Sequence, residues 1–347
     1  MTTFNANPTA AQATRPAAGN EPPLVQMEIH RGTKRAFMEK YDRYEPVVKD
    51  HTQVITFKTC PRMYFYQIVL GRVPKDEAVY FAWGSAYHKF RYVLEVAYGL
   101  NSDKPKMFDE SRAADALTKA VNEGMSYWKR YGKDQPLDTK WEFMTGERLL
   151  RTFMAAFQHW TKEKKQGRIE VLAVEQLFNV LLPDGQRTSG RADQIVRWNY
   201  GIWGRDFKTT SKPKEFRERL IEPNDQFTRY TFAEAQLCGE PVQGQIIEFM
   251  YNAKSTKKEQ KGPEIDPVMA SRSQWQIDQW VRDEKMWRQM IDLAREEDVY
   301  PMTEVSCPFC PYHSVCKQSS ETSMMAQLEA NYTVRPWDNT KIGVDDR

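Results

Sequence analysis

In the stretch "WGRDFKTT", Asp206 and Lys208 stand two residues apart. On a β-strand that spacing puts both side chains on one face and sends Phe207 to the other. Two hairpin signals lie upstream, "PDG" at 183–185 and "NYG" at 199–201, between runs rich in β-branched and aromatic residues. Antiparallel pairing about Tyr200 sets positions summing to about 400 opposite one another, which brings Asp193 beside Asp206. Across Asp184 and Gly185 the sum is roughly 369, and Glu175 lies across from Asp193 or its neighbour. Three carboxylates so close repel one another unless a cation lies between them. An oxygen-rich set of this kind suits Mg2+ or Mn2+. Such ions activate water and stabilise charge on a phosphorus-bound oxygen, and Lys208 is placed to position that water or neutralise the transition state. The chemistry implied is phosphodiester hydrolysis. Asp-x-Lys alone is most often a solvated surface pair; the alignment of Glu175 and Asp193 through two turns favours the site.

A second group offers different chemistry. Cys307, Cys310 and Cys316, in "CPFCPYHSVC", account for three of the five cysteines. Clustered thiolates in a reducing compartment point to metal ligation, and three are one ligand short. Cys60 and Cys238 are the remaining thiols; Cys238, in "AQLCGEP", also reads as a small core hydrophobe. His313 completes C-x2-C-x2-H-x2-C, a set that zinc accepts, although the short intervals are tight for it.

Bulk properties set the limits. The chain has 347 residues, 40% hydrophobic and 28% charged, which is globular composition with room for one large domain or two ordinary ones. No apolar run reaches a membrane span. The first two dozen residues carry no secretory pattern and are expected to be a disordered tail, 1–24, which leaves the cytoplasm as the default location. A net charge of +3 is too small to indicate nucleic acid by itself. No G-x-x-x-x-G-K-[ST] loop occurs, so nothing marks an ATP motor.

The elements that must position these residues follow from periodicity. Helices are expected over 85–100, 111–132 and 146–165, where apolar residues recur three and four apart. Strands are expected over 169–182, 187–198 and 202–210, a helix at 224–239, a strand at 244–252, and a long amphipathic helix from 273 to 297. Between the last two lies a basic loop with Lys254, Lys257, Lys258 and Lys261. A second basic group, Lys212, Lys214, Arg217 and Arg219, follows the Asp-x-Lys strand directly. Either reads as a solvated surface when taken alone; beside a nuclease site both could track a phosphate backbone.

The ordered set "GRADQI", "DFKTT" and "QFTRY" resembles the PD-(D/E)XK nuclease superfamily, in particular its RecB-like exonuclease branch. The resemblance spans about residues 50 to 320 and departs in the helical insert, roughly 101–165. It implies an α/β restriction-endonuclease-like core with a central mixed β-sheet, a helical insertion and a C-terminal iron-sulfur clasp, residues 321–347 forming a C-terminal tail. It implies Glu175, Asp193, Asp206, Lys208, Gln226 and Tyr230 as catalytic residues, with His88, Asp193, Asp206 and Phe207 at the Mg2+ or Mn2+ site. His88 otherwise reads as a core histidine, and Gln226 and Tyr230 as a helix-packing pair. Branch members with a cluster place one cysteine upstream and three near the C-terminus; by that likeness Cys60, Cys307, Cys310 and Cys316 would bind a [4Fe-4S] cluster. The expected activity is a DNA exonuclease on single strands or ends, working alone or with a separate helicase or recombinase, as in a phage recombination or replication enzyme in the host cytoplasm. A catalytically idle DNA-binding adaptor that keeps an iron-sulfur or zinc site is the alternative.

Overall fold

Both hairpins form where the turn residues allow them. Strands β4 (Ile169–Leu181), β5 (Arg187–Trp198) and β6 (Gly201–Thr210) run antiparallel, the turns closed by Leu181↔Arg187 and Trp198↔Gly201. Asn199 and Tyr200 both adopt left-handed backbone, φ 46° and 65°, the conformation a tight two-residue hairpin needs. The computed structural model describes residues 27–29, 42–46, 48–75, 78–100, 107–132, 144–252 and 262–338. The expected 1–24 tail and the basic loop with Lys254, Lys257, Lys258 and Lys261 lie outside the described residues.

Beyond β6 the chain crosses through α6 (Lys214–Arg219) and α7 (Asp225–Cys238) to β7 (Val242–Tyr251), which lies parallel to β6. Strand β8 (Glu264–Ser271) then pairs antiparallel with β7 at the edge. The result is a mixed five-stranded sheet in the order β4-β5-β6-β7-β8, as an α/β core requires. Strand β8 was not expected: "EIDPVMAS" has Pro267 at its centre, which an edge strand tolerates because one side of its backbone needs no partner.

Helices cover both faces. On one, α3 (Val79–Tyr98), α4 (Glu110–Tyr131) and α5 (Gly146–Gln166) enclose Trp83, Phe90, Trp128, Phe153 and Trp160, with Phe207 and Met250 supplied by the sheet. Phe90 and Phe153 stack at 4.4 Å. Gly124 makes this possible, because a Cβ there would stand 2.7 Å from the Phe153 ring. On the other face α7 packs Phe227 against Ile247, Phe249 and Ala270, and α8 (Gln274–Glu297) lies beside α7, opened by a Ser273/Gln276 capping box.

A second apolar core joins distant segments. Helix α1 (His51–Thr59), α2 (Pro61–Tyr64) and a wide π-turn at Phe65–Val69 pack with the end of α8, with α9 (His313–Cys316) and with α10 (Glu321–Asn331). Strand β3 (Arg72–Pro74) pairs with β9 (Tyr332–Val334), and β1 (Met27–Ile29) with β2 (Tyr44–Pro46). Residues 321–334, expected as part of a tail, are thus helix and strand, with Leu328 and Tyr332 buried. Their polar-rich sequence hid a narrow apolar stripe. No helix among the described residues is long and apolar enough to cross a membrane.

Candidate active site

The register between β5 and β6, Gln194↔Arg205, sums to 399, and carrying it one residue further sets Asp193 against Asp206. Between β4 and β5 the pairs Val174↔Gln194 and Gln176↔Ala192 bracket Glu175 and Asp193. Glu175 interrupts that ladder with a left-handed φ of 47°. A non-glycine residue held there stores strain, a feature that clusters at functional sites. Its carboxylate meets Arg191 Nη1 at 2.9 Å.

His88 projects from α3 toward the same point. Its Nδ1 stands 3.4 Å from Asp193 Oδ2, and His88, Glu175 and Asp193 each offer a ligand atom within 4.8 Å of the other two. The Phe207 amide donates to Asp193 Oδ2 at 2.8 Å. Asp206 Oδ1 accepts from Lys208 Nζ at 2.9 Å and from Gln226 Nε2 at 3.4 Å. Asp206 Oδ2 is buried and has no hydrogen-bond partner in the protein. The imidazole and two carboxylates of His88, Glu175 and Asp193 are a donor set that fits a hard divalent cation; Asp206, with its orphaned buried oxygen, stands on the neighbouring strand outside that close group.

The electrostatics carry the marks of that crowding. Burial pushes Glu175 up to about 7, with Asp193 adding to the rise and His88 and Arg191 opposing it. Burial raises Asp206 as well, against Lys208 and with Asp193. Asp193 is held below the usual carboxylate range because His88, Lys208 and the Phe207 amide outweigh its burial. For His88 and Lys208 the order reverses: burial would lower both, but Asp193 raises His88 and Asp206 raises Lys208.

Phe207, expected at the metal, turns its ring away from it. Alternation along β6 sends the side chain to the opposite face, where it lies 4.1 Å from the Arg91 guanidinium and 5.5 Å from that of Arg205. Only its backbone can serve the site. Arg91 and Arg205 are themselves buried and both pair with Glu248 of β7, which has no exposure. Arg205 also reaches both oxygens of Glu163, at 2.8 and 2.9 Å. His159, Glu163 and Glu248 form a second group of closely spaced ligand atoms, but the arginines already neutralise its carboxylates. Sequence reasoning missed this layer. Its one available signal was charge at alternate positions, Arg205 and Glu248, inside strands that otherwise read as core.

Other expected residues separate. Gln226 sits in the first turn of α7, whose Asn224 cap accepts from the Gln226 and Phe227 amides. Tyr230, four residues on, sets its ring edge-on to Phe178 at 5.5 Å; burial raises its hydroxyl, with Asp206 contributing. Lys212, Lys214 and Arg219 are exposed. Arg217, expected among the phosphate contacts, is buried, paired with Asp266 at 3.0 Å and stacked between Phe249 and Tyr251. Its position in the short α6 turns it inward, so it serves packing.

Cys60 ends α1 and is buried, and the Thr303 amide donates to its sulfur at 3.4 Å. The segment is docked by Arg62, whose amide bonds Pro301 O and whose Nε bonds Tyr300 O. Burial raises Cys310, with Cys60 and Cys307 adding to it. Burial likewise pushes Cys316 up to about 11, and Cys310 and Cys60 contribute. Cys238 packs instead near Ala192 and Ile195, and His313 is exposed. Among the described residues no three of these sulfurs fall within 4.8 Å of one another.

A search of curated proteins gave no match. Among solved structures, the crystal structure of SSO0001 aligns at 12% identity over 67% of this chain and 96% of that chain, with a TM-score of 0.28, too weak a likeness to carry an argument. The profile of the PD-(D/E)XK nuclease superfamily matches residues 51–317. That span contains Cys60, all the clustered acidic residues, Lys208, Gln226 and the three C-terminal cysteines, and the chain belongs to the PD-(D/E)XK nuclease superfamily.

Proposed function

We propose that this chain is a metal-dependent DNA exonuclease of the RecB-like branch, acting on single strands or DNA ends and stabilised by a four-cysteine iron-sulfur cluster. The observation that carries the reading is the convergence of His88, Glu175 and Asp193, whose ligand atoms lie within 4.8 Å of one another, with Asp206 on the adjoining strand held by Lys208. His88, Asp193 and Asp206 would hold a Mg2+ or Mn2+ ion, with Glu175 beside them. When bound, it would lower the pKa of a water and offset charge on the phosphoryl oxygens.

The protein's own groups do the rest. Lys208, fixed by Asp206, presents its ammonium toward the site and can orient a nucleophilic water or meet developing negative charge. Gln226 donates to the same Asp206 oxygen, Oδ1. The Phe207 amide keeps Asp193 directed inward. Exposed Lys212, Lys214 and Arg219, just past the catalytic strand, supply positive charge for a phosphate backbone. The absence of a motor motif fits an enzyme that works alone or beside a separate helicase or recombinase, and a phage enzyme of the host cytoplasm is the setting we favour.

The cysteine reading is supported by the docking of Cys60 against residues 300–303 and by its electrostatic influence on Cys310 and Cys316. A single tetrahedral zinc would draw its sulfurs to about 3.8 Å from one another, given Zn–S bonds of about 2.3 Å. In a four-iron cube each thiolate takes its own iron and the sulfurs stand farther apart; among the described residues the sulfurs form no group of three within 4.8 Å, so their spacing by itself marks no cluster.

The decisive experiment incubates anaerobically purified protein with end-labelled single- and double-stranded DNA, with and without Mg2+ or Mn2+. Cation-dependent cleavage lost by at least roughly 100-fold in Lys208→Ala is expected, the usual scale for a group acting on the transition state. Near wild-type cleavage by Lys208→Ala would show the site to be misassigned, and DNA binding without cleavage would favour an idle adaptor.

A further inference from the structure

The stripe of α3 that carries His88 continues past the catalytic strand. Residues 81, 84 and 88 lie three, four and seven apart and share one side of the helix. At His88 the stripe faces Asp193. At Gly84, four residues earlier, it faces the end of β6: a Cβ there would meet only Thr209 Oγ1, at 3.6 Å, within 4 Å. At Phe81 the sheet has ended, and the ring is 50% exposed.

A large apolar side chain standing clear of its own core, about 10 Å along the helix axis from the metal-site histidine, calls for an occupant. Its orientation is held: Tyr80 lies against it with ring centroids 4.4 Å apart. Between Phe81 and His88, Gly84 leaves a gap in the helix surface in which, among the described residues, only the Thr209 hydroxyl comes within 4 Å of where a Cβ would stand. Beyond the end of β6, Lys212 places its ammonium 5.1 Å over Phe216, itself 44% exposed. Lys214 and Arg219 are exposed on the same short helix. The region near the site thus offers aromatic faces and positive charge together. That combination is what an unpaired strand uses, since every base has a face to stack and every linkage a charge to neutralise. A duplex buries those faces within its own stack.

We infer that Phe81 is a base-stacking residue that selects unpaired nucleic acid, with Lys212 receiving the phosphate backbone as the strand passes over Gly84 toward His88. This rests on the nuclease reading for the location of the reactive centre, but base recognition at Phe81 is a separate property with a separate readout.

The test measures binding by fluorescence anisotropy in an Asp206→Asn background with Mg2+, where the strand stays intact. The probes are a single-stranded oligonucleotide, the same length bearing abasic sites throughout, and a blunt duplex. Phe81→Ala should weaken binding of the base-bearing strand by on the order of 5- to 100-fold, the usual range for one base stacked on one aromatic. It should leave the abasic strand and the duplex within about twofold, and Phe81→Trp should restore the loss. Half-exposed Phe81 can be truncated without opening the core, and matching melting curves would verify that. Unchanged single-strand binding in Phe81→Ala, or equal losses on all three probes, overturns the inference. Cleavage by the wild-type protein is scored separately. Cleavage with Phe81-independent binding sinks this inference and spares the nuclease; Phe81-dependent binding without cleavage does the reverse.

Discussion

His88 shows how one side chain can have two readings until its surroundings are known. On the sequence it is a histidine on an amphipathic helix, as suited to a core as to a metal. In the fold it stands 3.4 Å from Asp193 and about a quarter exposed, facing carboxylates. His88→Ala should therefore raise the Mg2+ concentration needed for half-maximal cleavage by roughly 10- to 100-fold, with partial recovery at high metal, as loss of a metal-site group does. Equal loss at every metal concentration, with a lowered melting temperature, would mark it as a packing residue. Residues of the acidic set were legible because turn chemistry fixes register, and register fixes which side chains meet. Arg217 was not: its charge suggested solvent, and only the placement of Asp266 and two aromatic rings on neighbouring strands explains its burial.

Strand β4 leaves the extended region at Glu175. Glu175 bears a left-handed φ that glycine would adopt freely, and a raised pKa that reflects burial beside Asp193. Glu175→Gly should relieve on the order of 1 kcal/mol of backbone strain while abolishing efficient cleavage, so stability and activity would move in opposite directions. Urea denaturation alongside the cleavage assay checks this; a variant both less stable and fully active would contradict it. Behind β6 the elements are joined by buried charge. Glu163 is held down to about 2: its burial alone would raise it, but Arg205 outweighs that, helped by His159 and Arg91. Because the folded value lies below the unfolded one of about 4.3, the stabilisation is present above that pH and is lost as the pH falls toward 2. The difference corresponds to about 3 kcal/mol as an order of magnitude. Glu163→Gln should be less stable than wild type at neutral pH, and the two stability curves should converge between about pH 4 and 2. Parallel curves across that range would show that the Arg205 pairing contributes nothing. This layer was illegible in the sequence because periodicity reports which positions are inside, and buried ion pairs occupy inside positions with polar residues. Strand β8 was hidden for a related reason, Pro267 being a breaker everywhere but at an edge.

At the scale of the molecule, two cores divide the work: one seats the sheet under α3 to α5, the other binds the first helices to the last ones. If the cysteines hold a cluster, it belongs to the second core. Anaerobically purified protein should then be brown with about four irons per chain. Cys60→Ala should lose colour and thermal stability together, whereas Cys238→Ala and His313→Ala keep both. Zinc in place of iron, or colour that depends on His313 and not on Cys60, would reassign the site. The second core also has a consequence for how the chain is made. Val54, Phe57 and Phe65 share their core with Ile291 and residues beyond it, and β3 waits for β9 at Tyr332. Residues 70–290 must emerge from the ribosome in between, roughly 10 to 45 s at about 5 to 20 residues per second. Through that interval this core lacks the residues from α8 to β9, while the strands bearing Glu175, Asp193 and Asp206 can already pair. Biosynthesis would thus assemble the acidic centre first, with Cys60 meeting the Thr303 amide only in the final stretch of translation.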